Sequence, residues 1–268
     1  MKVVLFCGGL GTRLREYTET IPKPLVTIGD QPILWHLMKY YAHFGHNEFI
    51  LCLGYKSELI RQYFTDLVES EANNFTFSMD GNVLRLSNCE ATDWKITFAE
   101  TGNDSNIGQR LIAVKPYLGD DETFLANYSD GLSDLPLGDY LKNFNLGNKV
   151  ASFVCVRPNN SFHTVEMGND GLVQDIRQAS ESDFWINGGF FALKQEIFDY
   201  MQDGEELVEE PFKRLINEQQ LLAYQYDGFW ACMDTLKDKK TFDDMHLKDE
   251  KPWQVWQLQP TQNEAEDY

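Results

Sequence analysis

Short apolar runs bounded by turn residues alternate with stretches in which apolar residues return every three or four positions. The first run, Val3 to Cys7, has five residues, a length that suits a strand buried on both faces of a parallel sheet. Residues 48–53, 123–127 and 149–156 read as strands of the same kind, and 221–226 as one more. Between the first two, Leu34, Leu37, Met38 and Tyr41 recur at helical spacing up to Phe44. Pro32 stands near the first helical position and Gly45 ends the helix. A second helix is predicted over 57–68 with Ser57 as its cap. Further helices are expected over 106–114, 136–144, 197–201, 209–217 and 233–245. Strands followed by helices favour a mainly parallel sheet with right-handed crossovers and helices on both faces, an α/β fold.

The middle of the chain changes period. Residues 75–79 and 82–86 alternate around Asp80-Gly81, which predicts a hairpin, and 94–99 reads as a further strand. From 162 to 193, short alternating runs predict antiparallel strands appended to the sheet. No repeat or linker divides the chain, so residues 1–258 are expected to form one domain. The polar, acidic residues 259–268 are expected to be disordered.

Composition narrows the function classes. The 268 residues carry a formal net charge of −19, which argues against nucleic acid and anionic membranes as partners. No apolar run reaches the length of a membrane span or a signal-peptide core. Five cysteines without C-x-x-C spacing argue for reduced thiols in a cytoplasm, and against a disulfide framework or zinc site. The first forty residues break the acidic trend, with five basic against three acidic side chains, a net of +2. A locally cationic segment in an acidic chain predicts an anionic ligand there.

That segment contains Gly8-Gly9-Leu10-Gly11-Thr12-Arg13-Leu14, directly after the first strand, and then Pro22-Lys23-Pro24-Leu25. Glycines allow a sharp turn and close backbone approach, and successive N–H groups in such a turn form an anion-binding hollow. Arg13 and Lys23 add a fork and a point charge for phosphate oxygens. The spacing is neither that of a P-loop nor that of a dinucleotide fingerprint, and it reads as a triphosphate-binding loop. Close packing is the alternative use of such a turn.

Two aspartates follow apolar runs. Asp130, after 123–127, lies where open α/β sheets bind ligands, beyond the carboxyl end of a strand. Asp234 repeats the arrangement after Trp230-Ala231-Cys232-Met233. Carboxylates so placed suit Mg²⁺, which takes one or two of them together with phosphate oxygens and water. An ordinary turn at Asp130-Gly131 and a helix cap at Asp234 are the simpler readings. Asp134 is expected to cap the helix at Pro136. Asn187-Gly188-Gly189 offers an amide and close backbone approach suited to sugar hydroxyls, or a bulge between strands. The five histidines show no metal spacing and are expected at the surface. Pro252-Trp253-Gln254-Val255-Trp256 suits a subunit contact in a homo-oligomer, or packing on its own domain.

The loop and the Pro-Lys-Pro-Leu segment together resemble the signature of sugar-phosphate nucleotidyltransferases. Within that group the chain is similar to the glucose-1-phosphate cytidylyltransferase family, a likeness that runs from Met1 to about Trp256. Its further carriers are 32–36, 53–56, Thr101-Gly102 with Gly108 and Arg110, 185–191, 228–230 and 233–239. The resemblance implies a Rossmann-like single domain of the nucleotide-diphospho-sugar transferase type. It implies CTP bound by Leu5, Gly8, Gly9, Gly11, Thr12, Arg13, Lys23, Gly108, Arg110 and Asp130, with Gly108 and Arg110 at the cytosine. It also implies Mg²⁺ on Asp130 and Asp234, and catalysis served by Arg13, Lys23 and Asp130. A phosphorylated acceptor, a sugar 1-phosphate or a relative, would meet Tyr128, Arg177, Asn187 and Gly188. The product would be a CDP-sugar for surface polysaccharide, with pyrophosphate released.

The chain departs from the family on the acceptor side. Gln178-Ala179-Ser180 stands where Glu-Lys-Pro is usual, Ser161-Phe162-His163 where Arg-Phe-Gly is usual, and Ser129 replaces a glycine. Losing the lysine removes a charge-assisted bond to the acceptor phosphate. Arg177 or Arg157 taking its place, and a different phosphorylated acceptor, are the two expectations that follow. A nucleotide binder without turnover and a nucleotide-sugar glycosyltransferase remain as alternatives, although the Asp-x-Asp of the latter is absent around Asp130.

Overall fold

The computed structural model describes residues 1–70, 76–80, 82–87, 94–158, 163–179 and 184–257. In chain order the first elements are β1 (Lys2–Phe6), α1 (Arg15–Thr18), β2 (Thr27–Ile28), β3 (Gln31–Pro32), α2 (Ile33–His43), β4 (Glu48–Leu53) and α3 (Ser57–Ser70). They are followed by β5 (Thr76–Asp80), β6 (Val83–Ser87), β7 (Trp94–Glu100), α4 (Ile107–Leu118), β8 (Thr123–Asn127), β9 (Gly131–Ser133) and α5 (Leu137–Gly147). The remainder are β10 (Ala151–Val156), β11 (His163–Met167), β12 (Val173–Gln178), β13 (Ile186–Lys194), α6 (Glu210–Asn217), β14 (Leu221–Tyr226), β15 (Trp230–Cys232) and α7 (Leu236–Leu247).

Nine strands form one sheet in the order β14-β10-β13-β8-β1-β4-β7-β6-β5. β1 pairs in parallel with both β4 and β8, β4 with β7, and β10 with β14. β1 explains why a continuous apolar run was needed. Val3, Leu5 and Cys7 enter the core on one face, while Val4 and Phe6 enter the core on the other. β4 divides in the same way, Phe49, Leu51 and Leu53 against Ile50 and Cys52. Residues of α2 and α5 fill the first core, and residues of α4 and α6 the second. The mainly parallel α/β sheet with helices on both faces is thus present.

The antiparallel strands are arranged differently from expectation. β13 is not appended: it lies inside the sheet, antiparallel to both β8 and β10. Its Phe190 and Phe191 are 1% exposed and serve opposite cores, which explains an insertion that periodicity does not announce. β11 and β12 form a separate two-stranded ribbon. β5 and β6 extend the far edge through β7, as a hairpin should.

Several local expectations need correction. Ser57 is the first residue of α3 rather than a residue before it, and Lys56 ahead of it takes a positive φ of 53°. α4 continues to Leu118 past Pro116, because Leu118 is fully buried in the second core. Residues 195–200 form a 3-10 turn, and Met201 lies beyond it in extended backbone. Asp134 does not cap α5: it accepts a hydrogen bond from the Tyr226 hydroxyl at 2.5 Å. His36 is not at the surface but 2% exposed, bonded to the Ile28 carbonyl. The aromatic segment near the C-terminus packs on its own domain. Trp253 is fully buried against His36, Phe229 and Phe242, and Trp256 lies against Trp35 and His36. The Asp80-Gly81 turn at its glycine, the departures at Ser161, Phe162 and Ser180, and the acidic tail lie outside the described residues.

Candidate active site

β1, β4, β7, β8, β10 and β14 point the same way, so their carboxyl ends share one edge of the sheet. A cavity of about 970 Å³ opens at that edge. The Gly8–Leu14 loop leaves β1 there. Gly11 has a φ of 60°, in the left-handed region open to glycine, and its carbonyl accepts from the Thr18 hydroxyl and the Leu14 N–H. Gly9, Gly11, Thr12 and Arg13 line the cavity. Lys23 begins the next 3-10 turn, after Pro22, and reaches back into the same space.

The two aspartates meet through a small ribbon that the sequence pattern does not reveal. β9 pairs with β15 so that Gly131 faces Cys232, and the Met233 N–H donates to the Asp130 carbonyl at 2.8 Å. This register brings Asp130 and Asp234 side by side. Lys23 Nζ lies 2.7 Å from Asp130 Oδ2 and 2.5 Å from Asp234 Oδ1, while an Arg13 guanidinium nitrogen lies 3.0 Å from the same Asp234 oxygen. Asp234 is not a helix cap. Thr235 caps α7 in a reciprocal box with Asp238, which leaves Asp234 free to face the cavity.

Electrostatics follow from this geometry. Burial works against the Lys23 charge, yet Asp130 and Asp234 together hold its pKa above the ordinary lysine value. Burial pushes the Asp130 carboxyl up, opposed by the Lys23 ammonium beside it. Burial and both aspartates push the neighbouring Cys232 thiol up to about 12, so it stays protonated. Asp130 and Asp234 direct hard carboxylate oxygens at one cationic point. That donor set fits Mg²⁺ sharing its remaining positions with phosphate oxygens and water.

Ser129, where a glycine is usual in the resembled family, adopts a φ of 65°. Its strain is offset locally: the hydroxyl donates to the Phe6 carbonyl at 2.7 Å, and its N–H to Asn127 Oδ1 at 3.0 Å. The serine therefore ties β8 to β1 directly below Asp130.

In the same cavity lining, Asn187 Nδ2 donates to the Tyr128 hydroxyl at 3.2 Å, and its Oδ1 accepts from Gly189 N–H at 2.9 Å. Gly189 has a φ of 77°, and a Cβ there would meet the Tyr128 ring at 2.5 Å. The ladder with β10 shifts register at this point, so the bulge and the cavity-facing amide are one feature. Trp230 Nε1 donates to the Gly188 carbonyl at 2.8 Å, and Trp230 lines the cavity as well.

The structure thus brings together Gly9, Gly11, Thr12, Arg13, Lys23, Tyr128, Asp130, Asn187, Gly188 and Asp234 around one space. Others stand differently. Leu5 is core. Gly108 permits the approach of α4 to the Glu205 carbonyl, which a Cβ would meet at 2.2 Å. Arg110 reaches the cavity wall, but its guanidinium donates to Leu53 O, Thr101 Oγ1, Gly102 O, Gly8 O and Asn103 O. Arg177 lies on the β11/β12 ribbon, paired with Asp175 at 2.5 Å and Glu166 at 3.8 Å, and is not among the described residues lining the cavity. Arg157 lies over the Trp185 ring at 4.1 Å. Glu206, Ser105 and Lys237 line the cavity without having been singled out. Glu206 also accepts from the N–H groups of Ile107 and Leu207. It lies in irregular chain before α6, where no local pattern marks a site.

A family model described as nucleotidyl transferase matches residues 2–240. A Bacillus subtilis strain 168 protein named "Probable glucose-1-phosphate cytidylyltransferase" is 42% identical over 259 residues, covering 96% of this chain and 100% of the relative. Glucose-1-phosphate cytidylyltransferase of Salmonella typhimurium is 36% identical with the same coverage. Among solved structures, UDP-glucose pyrophosphorylase complexed with UDP-glucose superposes with a TM-score of 0.66 at 15% identity, covering 92% of this chain and 98% of that one. That last likeness speaks for the fold.

Proposed function

The chain belongs to the nucleotidyl transferase family, and from that premise we propose that it transfers a cytidylyl group from CTP to a sugar 1-phosphate, releasing pyrophosphate. The observation that carries this reading is the Lys23 ammonium between Asp130 and Asp234, beside a glycine loop at the carboxyl edge of the sheet. Cationic groups and paired carboxylates at one spot suit a metal-bound triphosphate better than a neutral ligand.

In this reading the loop N–H groups, Arg13 and Lys23 hold the triphosphate. Asp130 and Asp234 would hold Mg²⁺, which supplies charge neutralisation on the phosphates. Tyr128, Asn187 and Gly188 bind the sugar. An oxygen of the acceptor phosphate forms a bond to the α-phosphorus of CTP, and the bond from that phosphorus to the bridging oxygen breaks. Pyrophosphate leaves with the electron pair. The attacking oxygen is already anionic, so no general base is required. Lys23 and Arg13 stabilise charge on the transferring and leaving groups, and positioning does the rest. The free thiols of Cys7, Cys52 and Cys155 are buried and suit a reducing cytoplasm. The CDP-sugar would feed surface polysaccharide synthesis.

A second reading keeps CTP and changes the acceptor. It is favoured by Ala179, which is 3% exposed and offers no charge to an acceptor phosphate. Pyrophosphate release from four nucleoside triphosphates against a panel of sugar phosphates tests both. Release that requires CTP with glucose 1-phosphate supports the first. Release with CTP and another phosphorylated acceptor supports the second. No release from any pair overturns both.

A further inference from the structure

Glu206 is half-buried in the irregular chain before α6 and lines the cavity together with Tyr128. One carboxylate oxygen accepts from the Leu207 N–H at 3.0 Å, and the other from the Ile107 N–H, at the start of α4, at 3.4 Å. An ionised carboxylate accepts about four hydrogen bonds, so about half of that capacity is left. Among the described residues no cation forms an ion pair with Glu206, whereas Lys23 and Arg13 stand against Asp130 and Asp234. This point of the cavity wall is therefore negative without compensation. It repels a phosphate and favours a group with a proton to give.

Tyr128 supplies the complementary half. Its hydroxyl oxygen accepts from Asn187 Nδ2 at 3.2 Å, and the bond from the Gly189 N–H to Asn187 Oδ1 fixes which way that amide points. The phenolic proton is thus turned away from Asn187, and no described residue accepts it. Burial, and after it the negative charge of Glu206, push the Tyr128 pKa above its ordinary value, so the phenol keeps that proton. The two side chains are close enough to act on each other, yet among the described residues no hydrogen bond joins them. A phenol with a proton to donate and a carboxylate that can only accept face one space. The group that answers both is a hydroxyl. A phosphate oxygen or a carbonyl has no proton for Glu206, and an ammonium has no lone pair for Tyr128.

We propose that Glu206 and Tyr128 together read one hydroxyl of a sugar ring, Tyr128 donating to its oxygen and Glu206 accepting its proton, so that Glu206 is a specificity-determining residue. This rests on the reading of the cavity as a site for CTP and a sugar 1-phosphate. Those substrates bring two rings, the acceptor's and the ribose, with the same chemistry to offer. A Glu206 that only braced the start of α4 through the Ile107 N–H would favour no particular hydroxyl.

The test is kcat/KM for pyrophosphate release by wild type, Glu206→Ala, Glu206→Gln and Tyr128→Phe. One arm compares glucose 1-phosphate with its 2-, 3-, 4- and 6-deoxy analogues, each with CTP. The other compares CTP with its 2′- and 3′-deoxy analogues, each with glucose 1-phosphate. In wild type, removal of one particular hydroxyl costs about tenfold or more, because it leaves buried polar groups without a partner. In Glu206→Ala the preference for that hydroxyl shrinks to within about twofold of none, while the other preferences stay as they were. Glu206→Gln keeps an acceptor without the charge and falls between, and Tyr128→Phe weakens the preference at the same hydroxyl. The arm in which the preference is lost identifies the ring. A uniform fall for every substrate, unchanged preferences in the variants, or loss at different hydroxyls in Glu206→Ala and Tyr128→Phe overturns the proposal. Should Glu206→Ala fail to fold, the near-isosteric Glu206→Gln decides by the same comparison. If wild type turns over another sugar 1-phosphate, the deoxy series is measured on that sugar. Unaltered preferences in an active enzyme sink this inference alone, whereas a wild type that releases pyrophosphate with no substrate pair takes the functional reading down with it.

Discussion

Lys23 Nζ lies 2.7 Å from Asp130 Oδ2, although 107 positions separate the two residues in the chain. The contact joins the segment that follows β1 to the end of β8, and Asp130, like Asp234, is a carboxylate in the cavity that both Lys23 and the proposed metal would need. Asp130→Asn keeps the shape and removes the charge. Pyrophosphate release with the matched acceptor is expected to fall by more than about a hundredfold, the scale of losing one charge-stabilising group at a reacting centre. A rate near that of wild type would refute the role given to Asp130.

Arg177 was one of two candidates to replace the missing acceptor lysine. Its guanidinium is already paired with Asp175 and Glu166 on an exposed ribbon. Exposed pairs of this kind contribute little, and Arg177→Ala should leave glucose 1-phosphate affinity within about twofold of wild type. Isothermal titration checks this, and a tenfold loss would return Arg177 to the acceptor site.

His36 sets a limit on acid stability. Burial, with like charge from His246 and Lys251 adding to it, lowers its pKa from 6.5 to about 4, while the Ile28 carbonyl works the other way. Below pH 6.5 the unfolded chain takes up a proton that the folded one refuses. The stability His36 contributes is therefore complete above that pH and lost as pH falls toward 4, a loss on the order of 3 kcal/mol. Urea midpoints between pH 7 and pH 4.5 should fall for wild type and fall less steeply for His36→Gln. Parallel slopes would contradict the assignment.

Trp253 is fully buried among His36, Phe229 and Phe242. Trp253→Ala should cost about 3–5 kcal/mol in urea unfolding, the range for removing a large aromatic from a core. A cost below about 1 kcal/mol would mean that the segment is not part of the folded unit.

The sequence pattern made some of this legible and left some hidden, for a consistent reason. β1, its glycine loop and α2 were readable because their signals are local: a five-residue apolar run, glycines at fixed offsets, and a helical period closed by glycine. Asp130 and Asp234 were each visible at a strand end. Their meeting was not, since it depends on three-residue strands pairing across about a hundred positions. The insertion of β13 between β8 and β10 was hidden likewise, because a strand buried on both faces looks the same at an edge or in the centre. Arg110 was marked by the family resemblance alone, since nothing in the local pattern of α4 shows that it lies buried against the segments leaving β1, β4 and β7.

The packing of Trp253 and Trp256 on Trp35 and His36 also has a temporal meaning. α2 is synthesised within the first fifth of the chain, but the aromatic side chains that cover it come more than 200 residues later. On the ribosome, a nascent chain would carry that apolar surface uncovered until Trp253 and Trp256 emerge. Its final docking can occur only when the last helix and the residues beyond it have emerged, so chains released early would keep an adhesive face. Chaperone demand should therefore track how long that face stays open.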